Sequence, residues 1–330
     1  MPPNVAVGTL QSASQLACSN GCAPAHRKGD SDNTMLAPVS AITNALTIDV
    51  EDYFQVSAFA PYIRRDEWEA RECRVERNVG HILDMLADQN VRATFFTLGW
   101  IAERYPQLVR RIVAGGHELA SHGYGHERAS DLDRAAFTQD VTRAKKLLED
   151  LSGQPVLGYR APSFSIGSSN LWAFEVLAQA GHSYSSSVYP IQHDHYGMPD
   201  SPRFAYRVGG SGMLEIPVTT LRLMNRNLPS SGGGYFRLLP YSLSRWMIRQ
   251  VNSLDCEAAI FYFHPWEIDV DQPRVAGINA KTRFRHYVNI GRMESRLQRL
   301  LSDFRWGRMD HIFLGQPTQE LAQEPARAAA

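Results

Sequence analysis

Apolar residues along the chain recur in two alternating patterns, which predict strands followed by helices. Short apolar runs predict strands at 45–50, 93–98, 118–121, 155–159, 214–223 and 258–263. Apolar residues at helical spacing predict helices at 76–89, 106–114, 132–151, 171–180, 240–252 and 291–304. Gly115, Gly153 and Gly181 follow three of these segments, and glycine commonly follows the last turn of a helix. Because strands and helices alternate without an internal repeat, we expect an α/β fold with a mostly parallel sheet.

The ends of the chain differ in composition from its middle. Residues 1–41 are rich in Ser, Ala, Asn, Pro and Gly and show neither strand nor helix periodicity, so we expect a disordered leader. They contain neither a charged start nor an apolar run of signal-peptide length, and no later apolar run approaches a membrane span. These features favour a cytoplasmic protein without a transmembrane segment.

The charge balance bears on the class of partner. The chain has 34 Lys and Arg against 34 Asp and Glu, so no overall positive field attracts nucleic acid. Cys18 and Cys22 have no matching Cys or His pair at zinc-finger spacing, so a structural zinc there is not expected. With 330 residues and 44% hydrophobic composition, the chain can bury one large core.

Four polar residues lie at or just past the end of a predicted strand. They are Asp49, His122, Arg160 and His264. In a (β/α) barrel, the loops that follow the strands converge at one end, where active sites lie. The positions of these residues therefore favour a barrel over an open sheet.

An acidic run and a histidine pair form a candidate metal site. The acids are Asp49, Glu51 and Asp52, and His122 and His126 are four residues apart. Two imidazoles and one carboxylate suit zinc or another first-row ion and leave positions for water and substrate. Closely spaced carboxylates also repel one another unless a cation or an arginine compensates. The alternatives are a solvated acidic turn and two histidines with ordinary hydrogen-bonding roles.

Arg160 and His264 are further candidates for the same site. Arg160 follows a predicted strand, and an arginine beside a carboxylate keeps it ionised and oriented, as a general base requires. His264 ends the apolar strand at 258–263, an unusual place for a polar ring. The ordinary alternatives are an ion pair for Arg160 and a core histidine bonded to a carbonyl for His264.

The order of these motifs resembles the polysaccharide deacetylases of carbohydrate esterase family four, which share the NodB-homology fold. The order is an acidic strand end, His-x-x-x-His, Arg-x-Pro and a strand-terminal His. The runs that begin at Asp49 and His264 are similar to a subgroup associated with exosortase and exopolysaccharide gene clusters. The resemblance implies a distorted (β/α) barrel at 42–268. It also implies an extension at 269–330 that packs on the barrel and ends in disordered residues.

The resemblance implies a role for each candidate residue. Asp49 matches the general base, Arg160 matches the arginine that positions it, and His264 matches the general acid. His122 and His126 match the metal-binding histidines.

The resemblance is less specific about the third metal ligand and about the residues that contact the substrate. The family usually places this ligand directly after the base, where this chain has Val50, so Glu51 and Asp52 are both open as the ligand. The backbone N–H of Ser163 is the expected donor to the oxyanion, and Trp266 is expected to contact the substrate.

The implied activity is metal-dependent removal of N-acetyl groups from amino-sugar residues of an exopolysaccharide, another polysaccharide or an oligosaccharide. Zinc is the expected ion, with cobalt, nickel or manganese as alternatives. The resemblance places Ser185 where the family often has the aspartate that pairs with its arginine, so we expect either lower activity with a less firmly held Arg160 or support from another acid such as Asp194. This difference keeps open a non-catalytic carbohydrate-binding descendant of the fold. A metal amidase that acts on a small-molecule amide would share the same site.

Overall fold

The computed structural model describes residues 42–193 and 197–315. Three of the expectations fall on residues outside these ranges, namely residues 1–41, Asp194 and residues 316–330. The strands are β1 Thr43–Val50, β2 Thr94–Thr97, β3 Glu118–Ser121, β4 Gly158–Tyr159, β5 Tyr184–Ser185, β6 Tyr206–Arg207, β7 Leu214–Glu215, β8 Thr220–Leu223, β9 Arg226–Pro229, β10 Ile260–Phe263 and β11 Arg305–Gly307.

The helices alternate with these strands over most of the described chain. They are α1 Val75–Asp88, α2 Gly99–Arg104, α3 Pro106–Ala114, α4 Arg134–Ser152, α5 Trp172–Gln179, α6 Gly233–Leu238, α7 Tyr241–Gln250, α8 Ala280–Tyr287, α9 Met293–Asp303 and α10 Met309–Phe313. None of the helices in the described ranges has the length and apolar character needed to cross a membrane.

Most strands form one curled sheet. Its order is β10-β1-β2-β3-β4-β5-β7-β6, and β11 also pairs with β1. The pairs are parallel except for β6 with β7. Within the described residues no ladder joins β6 to β10, so the sheet is a half-barrel. Since the strands that precede the predicted site residues are parallel neighbours, their carboxyl ends lie at the same end of the half-barrel.

Side chains bridge the open side of the half-barrel. Thr219 Oγ1 accepts the backbone N–H of Ile260 at 2.6 Å, and the Ser231 hydroxyl donates to the Ile260 carbonyl at 2.5 Å. The Ser230 hydroxyl donates to the Thr219 carbonyl at 3.2 Å. The first two bonds tie the residues that flank the β8–β9 hairpin to β10, the strand that precedes His264, and the third joins the two flanks to each other.

β1 lies at the centre of the core because both of its faces are covered. Every residue of β1 after Thr43 is buried. Ile48 belongs to a large apolar cluster that includes Val79 of α1, whereas Ala45 packs with Phe96 in a separate cluster. A continuous buried run is typical of a parallel strand that is covered on both sides.

The short elements are the ones that the apolar pattern did not predict correctly. The strand predicted at 214–223 is instead two strands, β7 and β8, with Pro217 between them. Proline cannot donate a ladder hydrogen bond, and beyond it the chain pairs with β9 in a separate hairpin. The pattern also missed α2, α6, α8, α10, β5, β6, β9 and β11. These elements are too short to show a clear period.

The C-terminal part of the described chain adds a strand to the sheet. In the parallel pairing of β11 with β1, Arg305 lies opposite Thr43 and Gly307 lies opposite Ala45. Leu297 of α9 is buried in the same apolar cluster as the helices that cover β1. The extension therefore shares its sheet and its core with the half-barrel.

Candidate metal centre and active site

The polar residues identified in the sequence meet at one end of the half-barrel. Asp49 and Glu51 lie at the end of β1, His122 follows β3, Arg160 follows β4, and His264 follows β10. His264 Nε2 is 4.0 Å from Asp49 Oδ2 and 3.6 Å from Glu51 Oε1. The strand ends thus bring together side chains that are more than 200 residues apart in sequence.

Glu51, His122 and His126 form a candidate metal centre. One potential ligand atom from each lies within 4.8 Å of the others. Glu51 Oε1 accepts a hydrogen bond from Trp266 Nε1 at 3.2 Å. Glu51 Oε2 is buried and lies 2.5 Å from His126 Nε2. A buried carboxylate needs a cation or a donor beside it, and a carboxylate with two imidazoles is a donor set that suits zinc.

Electrostatics favour the metal-binding forms of His122 and Glu51. Burial lowers the pKa of His122 to about 4, so its ring is neutral at pH 7. His122 Nδ1 is 2.8 Å from the Arg160 carbonyl and therefore carries the proton, which leaves Nε2 as a free donor atom for a metal. Burial alone would raise the pKa of Glu51, but the imidazoles of His126, His264 and His122 lower it to about 2. Metals bind neutral imidazole and ionised carboxylate.

The loop that carries the two histidines is held from both sides. The carbonyls of Gly123 and Tyr124 accept the first two backbone N–H groups of α2, at 2.9 and 2.8 Å. Asp140 of α4 accepts the backbone N–H groups of Tyr124 and Gly125, at 3.0 and 3.3 Å. Gly123 has φ 74°, and a Cβ there would lie 2.6 Å from Asp140 Oδ2. Only glycine fits this position without displacing the contact that orders the loop.

Arg160 is completely buried and holds Asp49. Its Nη1 donates to Asp49 Oδ1 at 2.6 Å and to Thr47 Oγ1 at 2.8 Å. Nε donates to the Ser186 carbonyl at 3.2 Å, and Nη2 donates to the Ser186 hydroxyl at 3.1 Å. Every guanidinium nitrogen is therefore engaged, which fixes the plane of Arg160 and the orientation of the Asp49 carboxylate.

Ser185, expected from the resemblance to stand in place of an aspartate, lies opposite the buried Glu215 in the pairing of β5 with β7. Glu215 Oε1 accepts the backbone N–H groups of Ser187 and Val188 at 2.9 and 2.8 Å. Burial raises the pKa of Glu215 to about 7, although the hydrogen bonds and the nearby Arg160 oppose the rise. A carboxyl group is thus retained near Arg160, one strand away from the expected position. The sequence reasoning missed it, and its only signal is an acid inside the apolar run at 214–223.

Glu267 fixes the orientation of His264. Its Oε1 lies 2.8 Å from His264 Nδ1 and accepts the His264 backbone N–H at 3.1 Å. Burial alone would raise the pKa of Glu267, but Arg237 and His264 lower it, so the carboxylate is ionised and Nδ1 donates. Burial alone would lower the pKa of His264, but Glu51, Glu267 and Asp49 raise it to about 9. The sequence reasoning missed Glu267, although its spacing of three residues from His264 could have indicated the pair.

Asp52, the alternative third ligand, does not join the metal cluster. Its Oδ1 accepts the backbone N–H of Tyr53 at 2.8 Å. Its Oδ2 accepts the backbone N–H groups of Arg74 and Val75, at 2.5 and 2.8 Å, at the start of α1. After β1 the chain enters a 3-10 turn, Tyr53–Gln55, for which Asp52 is the N-cap. Of the two acids, only Glu51 lies with the histidines.

Trp266 and Ser163 are the two residues that the sequence places on the substrate side of the site. Trp266 is 5% exposed, and its ring stacks on His264 and His286, with ring centres 5.3 and 4.1 Å away. Its contact with the substrate stays a prediction. Ser163 lies in the turn after Arg160 with φ 55°, and its hydroxyl is 2.6 Å from that of Ser57. Its role at the oxyanion stays a prediction.

Comparison with known families divides the chain into two parts. Residues 67–185 match the model of the polysaccharide deacetylase family, and residues 186–314 match a domain of unknown function, DUF3473. Arg160 and the two histidines of the metal centre fall in the first match, and His264 falls in the second. Asp49 and Glu51 precede both.

Curated relatives match the chain over about a hundred residues. A peptidoglycan-N-acetylglucosamine deacetylase of Bacillus cereus is 35% identical over 95 residues, which is 28% of this chain and 34% of the relative. A chitooligosaccharide deacetylase of Sinorhizobium fredii is 32% identical over 109 residues, which is 33% of this chain and 48% of the relative. The chain therefore spans between a third and a half of these relatives.

Solved structures share the fold over a longer range. A probable polysaccharide deacetylase from Pseudomonas aeruginosa PAO1 has a TM-score of 0.54 at 16% identity and covers 83% of this chain and 90% of its own. Puue allantoinase has a TM-score of 0.53 at 14% identity and covers 85% and 93%. The fold is of the NodB-homology type, which confirms the fold class expected from the sequence. Over residues 67–185 the chain is similar to the polysaccharide deacetylase family. The exosortase-associated subgroup stays a prediction.

Proposed function

We propose that the protein is a metal-dependent N-deacetylase that acts on amino-sugar residues of a polysaccharide or oligosaccharide. One observation carries the proposal: Glu51, His122 and His126 cluster beside Asp49 and His264, and His264 Nε2 lies within 4.0 Å of both carboxylates. The names of the curated relatives support N-acetylated amino sugars as the substrate class. Zinc is the proposed ion, and an exopolysaccharide is the proposed polymer.

Glu51, His122 and His126 would hold the cation. When bound, a divalent cation supplies Lewis acidity, which activates water and polarises an amide carbonyl. The chain supplies the conditions for binding, because it buries the three side chains and favours ionised Glu51 and neutral His122.

Asp49 and His264 divide the proton transfers between them. Arg160 occupies Asp49 Oδ1, so Oδ2 is the atom that takes a proton from the attacking water. Glu267 occupies His264 Nδ1, so Nε2 carries the proton that passes to the amide nitrogen as the C–N bond breaks. Acetate and a free amine result. The backbone N–H of Ser163 is the proposed donor to the oxyanion of the tetrahedral intermediate.

The assignment of roles is tested with two variants of the full chain. His122→Ala removes a proposed ligand, so the purified protein should lose bound metal and acetate release together. His264→Ala should keep its metal and lose turnover, because it removes only the proposed proton donor. His81→Ala, at an exposed histidine on α1, is the matched control and should retain both properties. Normal rates in both site variants would refute the assignment.

The substrate class is tested by measuring acetate release from N-acetylglucosamine oligomers of increasing length and from a small-molecule amide. A deacetylase of polymers should gain kcat/KM as the oligomer lengthens, and chelator treatment should abolish the activity until zinc is restored. Turnover of the small amide alone would identify a metal amidase instead. Oligomer binding without metal dependence and without acetate release would identify a carbohydrate-binding descendant.

A further inference from the structure

Arg237 of α6 is 1% exposed and joins the candidate site to the C-terminal extension. Its Nε donates to Glu267 Oε2 at 2.7 Å. Its two Nη atoms donate to three backbone carbonyls at the C-terminal end of α8, at 2.8, 2.8 and 3.3 Å. The last carbonyls of a helix have no partners within the helix, and a cation there is favourable. One buried guanidinium thus satisfies both a carboxylate and a helix end.

Glu267 is completely enclosed by this arrangement. Its Oε1 holds His264, its Oε2 holds Arg237, and the residue has no exposed surface. The backbone of α6 approaches it so closely that a Cβ on Gly233 would lie 2.1 Å from Oε1. A buried carboxylate that loses its cation is strongly destabilised, so Arg237 is needed to keep Glu267 ionised and in place.

A second contact from α8 reaches the same site. The ring of His286 stacks on Trp266 with ring centres 4.1 Å apart and an interplanar angle of 12°. Trp266 in turn stacks on His264 and donates to Glu51. The extension therefore supports both the proposed acid and a proposed ligand through residues that it contacts directly.

We propose that Arg237 is a positioning residue through which α8 of the C-terminal extension fixes His264 for proton transfer. This inference rests on the proposed function. On this inference, the region that matches the domain of unknown function supplies the proposed general acid, His264, and orients it. The residues of this arrangement, from Arg237 to His286, all lie within that match.

The test is Arg237→Lys in the full chain. A lysine can pair with Glu267 through one nitrogen but cannot also span the carbonyls of α8, because it lacks the planar fork of arginine. His264 should then be oriented less well. We expect kcat to fall roughly 10- to 100-fold, as is typical when an outer partner of a functional group is lost, while KM and bound metal stay unchanged.

Arg296→Met is the matched control for loss of structure alone. Arg296 Nη1 donates to three carbonyls at the C-terminal end of α6, at 2.7, 3.0 and 3.0 Å. Among the described residues it has no bond to Glu267. This variant should lower the melting temperature and keep kcat. An unchanged kcat in Arg237→Lys, or an equal loss of kcat in Arg296→Met, would overturn the inference.

A double variant covers the case in which Arg237→Lys does not fold. Arg237→Met combined with Glu267→Gln removes both charges of the buried pair together, so no unpaired charge remains, and the same loss of kcat is expected. If neither variant folds while Arg296→Met does, Arg237 has a purely structural role and the inference fails. If the wild-type protein releases no acetate, the proposed function fails together with this inference. If the wild-type protein and the Arg237 variants are all fully active, only this inference fails.

Discussion

Replacement of Glu215 by glutamine should change how the stability of the protein depends on pH. Glu215 has no exposed surface, and burial raises its pKa from 4.5 to about 7. Glutamine has the same shape, and its amide oxygen can still accept the backbone N–H groups of Ser187 and Val188. The substitution therefore removes the titration and keeps the main hydrogen bonds.

The sign and size of the effect follow from proton binding in the two states. The folded protein keeps its proton on Glu215 up to about pH 7, whereas the unfolded chain loses it near pH 4.5. The protonated carboxyl group of Glu215 therefore contributes fully to the stability of the folded protein below pH 4.5, and this contribution is lost as the pH rises to about 7. At about 1.4 kcal/mol for each pKa unit, the wild-type protein should lose roughly 2–3 kcal/mol between pH 5 and pH 8, relative to Glu215→Gln.

The measurement is urea unfolding of both proteins at several pH values, in the presence of a chelator so that metal binding does not contribute. Glu149→Gln is the control. The pKa of Glu149 is lowered, because Lys145 and the backbone N–H of Val156 outweigh the effect of burial. Its stability difference from wild type should therefore be flat between pH 5 and pH 8. Parallel curves for wild type and Glu215→Gln over this range would refute the reasoning.

Two further predictions concern residues that support the backbone around the site. Asp52→Asn should lower the free energy of unfolding by about 1 kcal/mol, because it weakens the cap at the start of α1, and it should leave metal binding unchanged. Urea unfolding and metal titration check this, and lost metal binding would restore Asp52 as a ligand. Gly158→Ala should cost about 1–3 kcal/mol, because its Cβ would lie 2.3 Å from the Tyr184 ring. Gly167→Ala has open space around the new Cβ and should be close to neutral, so equal melting temperatures for these two variants would contradict the packing argument.

The sequence predicts those features of the molecule that depend on local patterns. Apolar runs and helical spacing indicate the main strands and helices, and the position of polar residues after strands brings Asp49, His122, Arg160 and His264 to one end of the sheet. Parallel neighbours force this convergence, so no knowledge of distant contacts is needed. The choice between Glu51 and Asp52 could not be made in this way, because it depends on the turn that follows β1 and on the N-terminus of α1.

The residues that support the site residues could not be predicted from the sequence, for a related reason. Glu215 supports the segment that holds Arg160 from another strand, and Arg237 reaches Glu267 from 30 residues away. In the sequence each of these is one charged residue in an apolar or polar stretch, with no spacing that marks it. Only the packed structure shows that they are buried, and burial is what makes their pairing necessary.

The two matched regions depend on one another because β1 lies between them. Asp49 and Glu51 end β1, which pairs with β2 of the deacetylase match on one side and with β10 of the second match on the other. The proposed base is held by Arg160 from the first region, whereas the proposed acid is held by Glu267 and Arg237 from the second. Neither region alone contains the proposed base, the proposed acid and the proposed metal-binding residues. The proposed chemistry therefore requires that both regions pack on β1, and substitutions in α8 should affect turnover as directly as substitutions near the histidine loop.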